Sequence, residues 1–562
     1  MPTRQEMWDR LGGTVDVLVI GGGINGAGIA RDAARRGLKV AVVEMKDLAS
    51  GTSSNSSKLV HGGVRYLEQL EFSLVFESVS ERRILMDIAP HLVNPLGFLF
   101  PVYKSSRQAL TTINAGLWLY EGLSLFRSPK RHRNLSTSDV AVEEPALNRV
   151  QLKGAPLYYD CSTDDARLTL ESALDAASAG AVIATWAKAT NWLKDPKTGR
   201  VIGAEIEDQL SGETKEIRAN VVINASGPWT DDVLGLNEEY TGDRELLRPT
   251  KGVHVVVTRE KLPVRHAVVC FHPEDGRVLF AIPWGDRTYI GTTDTDYDGD
   301  PAEVAATLED VDYLLGVTNT YFPEHQLKRS DVIATWAGLR PLIKPLSSNG
   351  KDIDESSVSR EHQIVVGQDG VITIAGGKLT TYRRMSKEVV DTAVNYLRLS
   401  SRLPGAPLYD ANTDREPLPG ARGWPADDDH ERVASAILDV ASGRITAQTA
   451  RLLGDTYGML GLDVARLVRD EPELGRPLVE GRPEIMAQVD FGVRCELAAT
   501  VSDVMMRRTQ LFYRALDQGI EASEAVASRM ATLLGWDAAM RTRSLHLYRE
   551  DVGRATAWRD EM

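Results

Sequence analysis

The sequence predicts an α/β chain built on a Rossmann-like βαβ core, with stretches of antiparallel strand and an all-α C-terminal domain. Three observations carry this expectation. Residues 15–44 read VDVLVIGGGINGAGIARDAARRGLKVAVVE: a strand, a glycine turn, a helix and a second strand. Residues 182–224 alternate, with turn signals at Lys197–Gly199 and Ser211–Gly212, and HVVV, RVLFAIPW and TYIGTTD within 251–295 read as further strands. Past a cluster of prolines and glycines (SRLPGAPLYDANTDREPLPGARGWP) the patterns are helical almost to the end.

In the βαβ unit, Val15, Val17, Val19 and Ile20 form the first strand, and Gly21, Gly23 and Gly26 form G-x-G-x-x-G where it turns into a helix. The glycines allow a tight turn, close backbone approach to a pyrophosphate, and close packing of helix on strand. The helix N-terminus offers free N–H groups and a positive dipole end to that pyrophosphate. Ala27 to Arg36 continue the helix, Gly37 stops it, and Val40, Val42 and Val43 lead to Glu44. A carboxylate there suits a ribose diol and repels a 2′-phosphate, which disfavours NADP. The motif says dinucleotide and leaves FAD and NAD open.

Bulk properties bound the rest. The chain of 562 residues suggests roughly three or four domains. Hydrophobic content of 43% and charged content of 26% are those of a soluble globular protein. A net charge of −14 disfavours nucleic acid and any general attraction to anionic lipid, so a small anionic substrate needs a local basic pocket. Cys161, Cys270 and Cys495 are far apart and form no CxxC, which argues against Fe–S clusters, structural zinc and a disulfide framework. No metal is expected, nor a signal peptide, nor a spanning helix.

After Glu44 comes DLASGTSSNSSKLVHGGVRYLE, whose hydroxyl groups can donate to phosphates or a flavin ring, or sit in a plain surface loop. Residues 73–90 suit a helix. Ala109 to Phe126 are apolar except for Glu121 and a few hydroxyl or amide groups, and Arg127, Lys130, Arg131, His132 and Arg133 follow. Such a segment reads either as a buried helix with a solvated basic loop or as an interfacial membrane helix. Residues 163–180 suit a helix with Thr163 as N-cap, 302–322 a helix, 362–376 a hairpin turning at Gln368–Asp369–Gly370, and Thr380 to Leu397 a helix.

The pieces IGGGINGAGIARDAA, GTSSNSSKLVHGGVRYLE, NASGPW, KGVH, GTTD, AGLRPL and GGKLTTYR follow in this order between about Asp16 and Arg384. Together with CELAATVSDVMMRRTQLF at Cys495–Phe512, they make the chain resemble the FAD-dependent, respiratory, quinone-linked glycerol-3-phosphate dehydrogenases. The resemblance implies a fold like that of the D-amino-acid oxidases: a Rossmann-like FAD-binding domain interleaved with an antiparallel-sheet substrate or cap domain, with helices appended. The expected division is FAD-binding at 15–90, 161–245 and 336–398, cap at 91–160 and 246–335, a linker at 399–428 and the helical domain at 429–562.

The resemblance also implies a site. Gly21, Gly23 and Gly26 would hold the FAD pyrophosphate and Glu44 the ribose. Thr52, Ser53, Ser57, His61 and Gly62 would lie near the flavin, and Ala225 and Gly227 would touch the cofactor. Gly377, Lys378, Leu379 and Thr380 would close over the flavin's far edge, where a helix start can stabilise negative charge on reduced flavin. The reaction would be oxidation of sn-glycerol 3-phosphate to dihydroxyacetone phosphate, with hydride passing from C2 to flavin N5. The residues matching the substrate site are Arg65, Tyr66, His254, Arg340 and Lys378. Arg65 and Lys378 suit the phosphate, with Tyr66 helping. His254 suits the base, and Arg340 the growing alkoxide. His254, Arg340 and Arg65 are the catalytic candidates, and which of them takes the proton stays open. Asp294 reads as a turn carboxylate and Arg167 as a salt-bridged arginine. Asp503, Arg507 and Arg508 read as ties within the helical domain or to a neighbour.

Electrons would pass to a membrane quinone, or to oxygen in an oxidase releasing hydrogen peroxide. A quinone reductase without a spanning helix needs a surface on the lipid. The expectation is therefore a cytoplasmic protein, peripheral on the inner face of the cell membrane, touching it through 109–133. A homodimer is left open.

Overall fold

The computed structural model describes residues 2–67, 70–125, 127–236, 246–344, 362–403, 405 and 407–561, and the side chains of Arg65 and Tyr66 lie outside that description. The first sheet runs in the order His362–Val366, Ile372–Gly376, Thr214–Asn224, Thr14–Ile20, Val40–Val43, Val182–Ala184. Along this path all neighbours are parallel except the edge hairpin of His362–Val366 with Ile372–Gly376, and Val201–Asp208 joins antiparallel to both Thr214–Asn224 and Ala187–Lys194. Parallel strands buried on both faces read as continuous apolar runs, and Val17 to Ile20 and Val40 to Val43 are buried throughout. Alternate side chains go opposite ways. Val17 and Val19 face the helices Ile24–Arg35, Asp165–Ser178 and Tyr382–Leu399, while Leu18 and Ile20 pack with Trp8 and Trp192 on the other face.

The second sheet is mostly antiparallel and has Leu247–Thr258 as its axis. That strand pairs along one edge with Val332–Ile343 and along the other with Arg287–Gly291 and Thr295–Asp296. Val253, Val255 and Val257 point towards the helix Leu308–Tyr321. His254 and Val256 therefore point the opposite way, the side on which Tyr289 and Trp336 pack. Val332–Ile343 remains paired in this sheet to Ile343, across the boundary drawn at 335/336. The strand is continuous because its register with Leu247–Thr258 extends to Leu247.

Local corrections have simple causes. The helix Asp165–Ser178 is capped by Asp164, whose carboxylate takes the Arg167 N–H, not by Thr163. The 399–428 stretch is irregular but not loose: Arg31 donates to the Thr413 and Glu416 carbonyls, and Leu418 is buried. Proline and glycine content marks absence of regular hydrogen bonding, not absence of packing. Beyond it, seven α-helices between His430 and Thr556 build the last domain, with a π-turn at Asp503–Arg508.

The helix Leu110–Leu123 is half-buried: Ile113, Leu117 and Tyr120 face inward, whereas Trp118 and Leu119 are 56% and 44% exposed. Among the described residues, no helix is long and apolar enough to cross a membrane.

Candidate active site

A cavity of about 900 Å³ runs along the ends of the parallel strands. Gly21, Gly23, Glu44, Thr52 and Ser53 line it, as do Ala225, Gly227, Gly377, Lys378 and Leu379. Binding sites of open parallel sheets form at these strand ends. Gly21 has φ +107° and a Cβ there would stand 2.6 Å from the Ala225 carbonyl oxygen, so the wall is bare backbone. Gly26 lies one turn on, where a Cβ would meet the Gly21 carbonyl at 1.9 Å, the close helix–strand approach. Glu44 is buried; its carboxylate takes the Gly22 N–H at 2.6 Å and the Lys46 N–H at 2.9 Å, and burial pushes its pKa up. It fixes the glycine turn while lining the cavity. The Ser53 hydroxyl accepts the Ile24 N–H at 2.9 Å and so rests on the helix start.

The cavity's size, glycine wall and helix start fit a dinucleotide. At the far end, Gly376 and Gly377 have φ +73° and +95° and turn the strand into the Leu379–Thr381 turn and the helix Tyr382–Leu399. Lys378 sits at this turn.

Beside the cavity, register sets His254 opposite Trp336 and Gly291, and Gly252 opposite Gly338. The imidazole stacks on Trp336 with centroids 4.7 Å apart and planes 13° apart. Three glycines make the face possible. A Cβ on Gly291 would meet the imidazole at 2.1 Å, one on Gly252 would meet Arg340 Nη2 at 2.6 Å, and one on Gly338 would meet the Asn55 carbonyl at 2.5 Å. His254 Nε2 lies 2.9 Å from the Ser57 hydroxyl, and Nδ1 has no partner among the described residues. Burial, then the positive charges of Arg340 and Lys58, hold the imidazole well below its usual pKa. It is neutral at neutral pH.

Arg340 donates to Asp294 at 2.8 Å and to the Thr292 hydroxyl and Thr293 carbonyl at 3.2 Å each. Asp294 is thus the anchor of that guanidinium. Pro341, its neighbour, lines the cavity.

The remaining expected residues fall nearby. Ser57 bonds His254 and is not among the cavity's lining residues. The His61 N–H meets the Thr380 hydroxyl at 3.1 Å, tying the hydroxyl-rich loop to the far-edge turn. Gly62 donates its N–H to Tyr120 at 2.9 Å, and a Cβ there would overlap that phenol. Arg65 and Tyr66 lie on the turn Val64–Leu67, with side chains outside the described residues.

Sequence reasoning missed Trp336, Tyr289, Lys58 and Asp165. Trp336 and Arg340 share one strand face at even spacing, a signal that was available in TWAGLRPL. Lys58 and Asp165 meet only through tertiary contact, at 2.7 Å.

The helical domain braces the site. Arg507 and Arg508 both donate to the buried Asp47, three residues after Glu44, at 2.5 and 2.6 Å. Asp503 pairs with Arg507 at 3.0 Å, and Arg167 with Glu496 at 2.6 Å. Tyr513 packs its ring 5.6 Å from Trp336.

Residues 16–383 match the family described as FAD dependent oxidoreductase, and 411–541 match the C-terminal domain of alpha-glycerophosphate oxidase. The chain is 39% identical to an aerobic glycerol-3-phosphate dehydrogenase of Staphylococcus haemolyticus, over 93% of this chain and 91% of that one. It is 39% identical to glycerol-3-phosphate dehydrogenase 2 of Mycobacterium tuberculosis, over 97% and 89%. The solved glycerol-3-phosphate dehydrogenase of Bacillus halodurans, complexed with FAD, superposes with a TM-score of 0.78 at 33% identity, covering 98% of this chain and 97% of that one. The chain belongs to the FAD-dependent oxidoreductases and, among them, to the glycerol-3-phosphate dehydrogenase family, with FAD as its cofactor.

Proposed function

We propose that the protein oxidises sn-glycerol 3-phosphate to dihydroxyacetone phosphate and passes the electrons to a membrane quinone. The observation that carries the reading is a buried, neutral His254 coupled to an anchored Arg340 beside the dinucleotide cavity. Gly21, Gly23, Glu44, Thr52, Ser53, Ala225, Gly227, Gly377, Lys378 and Leu379 would hold FAD, which when bound supplies the two-electron acceptor for a hydride leaving C2.

This chain's residues do the rest. His254, having no proton on one nitrogen, accepts the C2 hydroxyl proton. Arg340 stabilises negative charge growing on the C2 oxygen, and its Asp294 anchor keeps it aimed. Lys378, with Arg65 and Tyr66, balances the phosphate. Ser57 fixes the His254 ring through Nε2.

A membrane acceptor is supported by one surface. Trp118, Leu119 and Leu125 are exposed there, with Phe72 and Phe76 exposed on the neighbouring helix Phe72–Ile88 and Arg127, Lys130 and Arg131 exposed alongside. Apolar anchors flanked by cations suit an interfacial contact on the inner face of the cell membrane. A second reading, an oxygen-using oxidase releasing hydrogen peroxide, is favoured by the oxidase description of the 411–541 match.

Turnover with sn-glycerol 3-phosphate, measured under argon with a soluble quinone and then with oxygen alone, tests the reading. Faster turnover with quinone is expected. Faster turnover with oxygen and stoichiometric peroxide makes the protein an oxidase.

A further inference from the structure

Lys58 is 3% exposed, and buried lysines are rare. Its ammonium donates to Asp165 at 2.7 Å and to the Ser54 carbonyl at 2.8 Å. Asp165, fully buried, also takes the Ser56 N–H and hydroxyl. The ammonium lies 5.3 Å from the centre of the Trp336 ring, on which His254 stacks. Three more holds come from the same turn. The Ser56 carbonyl accepts from Trp336 Nε1 at 3.2 Å, the Ser57 carbonyl accepts the Tyr289 hydroxyl at 2.9 Å, and the Ser57 hydroxyl meets His254 Nε2 at 2.9 Å. Lys58 itself has φ +53°, a left-handed conformation that a lysine keeps only where its surroundings enforce it.

A buried ion pair gives little net stability, since apolar residues of similar size often serve as well. What Lys58 and Asp165 supply instead is a fixed charge and a fixed turn next to His254. We propose that Lys58 is a positioning residue for the reaction, acting through Ser57 and Trp336 to hold His254 in one ring plane as the proton acceptor. The proposal rests on the reading of His254 as the base. The groups facing His254 are Arg340 from Val332–Ile343, Tyr289 from Arg287–Gly291, and Ser57 and Lys58 from the turn, with Asp165 paired to Lys58. Both cations disfavour a charged imidazole. The Lys58 ammonium is taken up by Asp165 and the Ser54 carbonyl, so it acts through others.

The test is the pH profile of kcat/KM for the holoenzyme and for its K58M, K58R, K58M/D165N and H254Q variants. The substrate's own phosphate ionisation is common to every profile. In K58M the acidic limb is expected to rise by about half a pH unit or more, the scale of a nearby charge at an effective dielectric near 20. K58R is expected to restore it. K58M leaves Asp165 buried and unpaired, so K58M/D165N, in which both charges are removed, carries the test if the single variant fails to fold. A limb that H254Q abolishes but that neither K58M nor K58M/D165N moves overturns the Lys58 proposal alone. A limb that persists in H254Q overturns the base reading on which it rests, and the proposal with it.

Discussion

Gly252→Ala isolates the role given to Arg340. A Cβ at Gly252 would lie 2.6 Å from Arg340 Nη2 and 2.7 Å from the Thr292 hydroxyl, while ordinary contact begins near 3.4 Å, so the guanidinium must withdraw by at least about 0.8 Å. Displacement on that scale breaks the charge-assisted hydrogen bond that the C2 oxygen would receive. Such a bond is worth about 1.5–3 kcal/mol, or roughly 10- to 150-fold in rate. A 1 Å misplacement in other enzymes costs about 100-fold, which is consistent. Gly252 is not among the positive-φ glycines, so alanine suits its backbone, and the cost to stability is that of overpacking, about 1–3 kcal/mol. The assay is steady-state kcat/KM for sn-glycerol 3-phosphate with a quinone analogue, alongside flavin content and Tm. The expected result is a loss of 10- to 150-fold, in line with about 1.5–3 kcal/mol, at wild-type flavin content and in protein that remains folded at the assay temperature. A kcat/KM within about twofold of wild type, too small a change for a lost charged hydrogen bond, refutes the placement of Arg340 at the reacting oxygen.

Three further outcomes follow from the same geometry. Asp47→Asn weakens the brace to Arg507 and Arg508 and is expected to cost about 3–5 kcal/mol, the scale of breaking a buried ion pair. Limited proteolysis should then release the helical domain first; an unchanged digestion pattern contradicts the brace. Burial pushes the Asp47 carboxyl up, but Arg508 and Arg507 together bring it below its ordinary value, so its contribution is complete above the unfolded pKa near 3.9 and persists at mildly acid pH. His254 has the opposite sign problem: its folded pKa is lowered, so the unfolded chain binds the extra proton first and stability falls as pH drops below about 6.5. His254→Asn should flatten the decline in Tm between about pH 7 and 5 relative to wild type; parallel curves would show that the histidine is not buried neutral. Trp118→Ser with Leu119→Ser should reduce flotation with anionic vesicles, and so should neutralising Arg127, Lys130 and Arg131; unchanged flotation in both removes this surface from the membrane account.

The glycine turn and the cavity wall beside it were legible because their signal is local. Gly21, Gly23, Gly26 and Glu44 lie within one βαβ unit, and the same few residues make the turn, the cavity wall and the helix start. The far-edge turn at Gly376–Thr380 was legible for the same reason. The electrostatics around His254 were not. Its neutrality comes from burial beneath Trp336 and from Lys58 and Arg340, which the chain brings together from three distant segments. Asp294 looked like a turn residue because its partner is 46 positions away on another strand. The boundary at 335/336 falls inside Val332–Ile343 because the pairing that makes this one strand is with Leu247–Thr258, far away in the sequence.

The central claim is that a cationic site holding a neutral imidazole oxidises a phosphorylated glycerol. The most direct measurement is anaerobic: sn-glycerol 3-phosphate is added to the FAD-loaded protein and flavin absorbance is followed at about 450 nm, where the oxidised cofactor absorbs. Rapid bleaching by sn-glycerol 3-phosphate, absent with glycerol and lost in an Arg340→Ala variant that keeps its FAD, is the expected result. Fully loaded protein that stays yellow with sn-glycerol 3-phosphate contradicts the account.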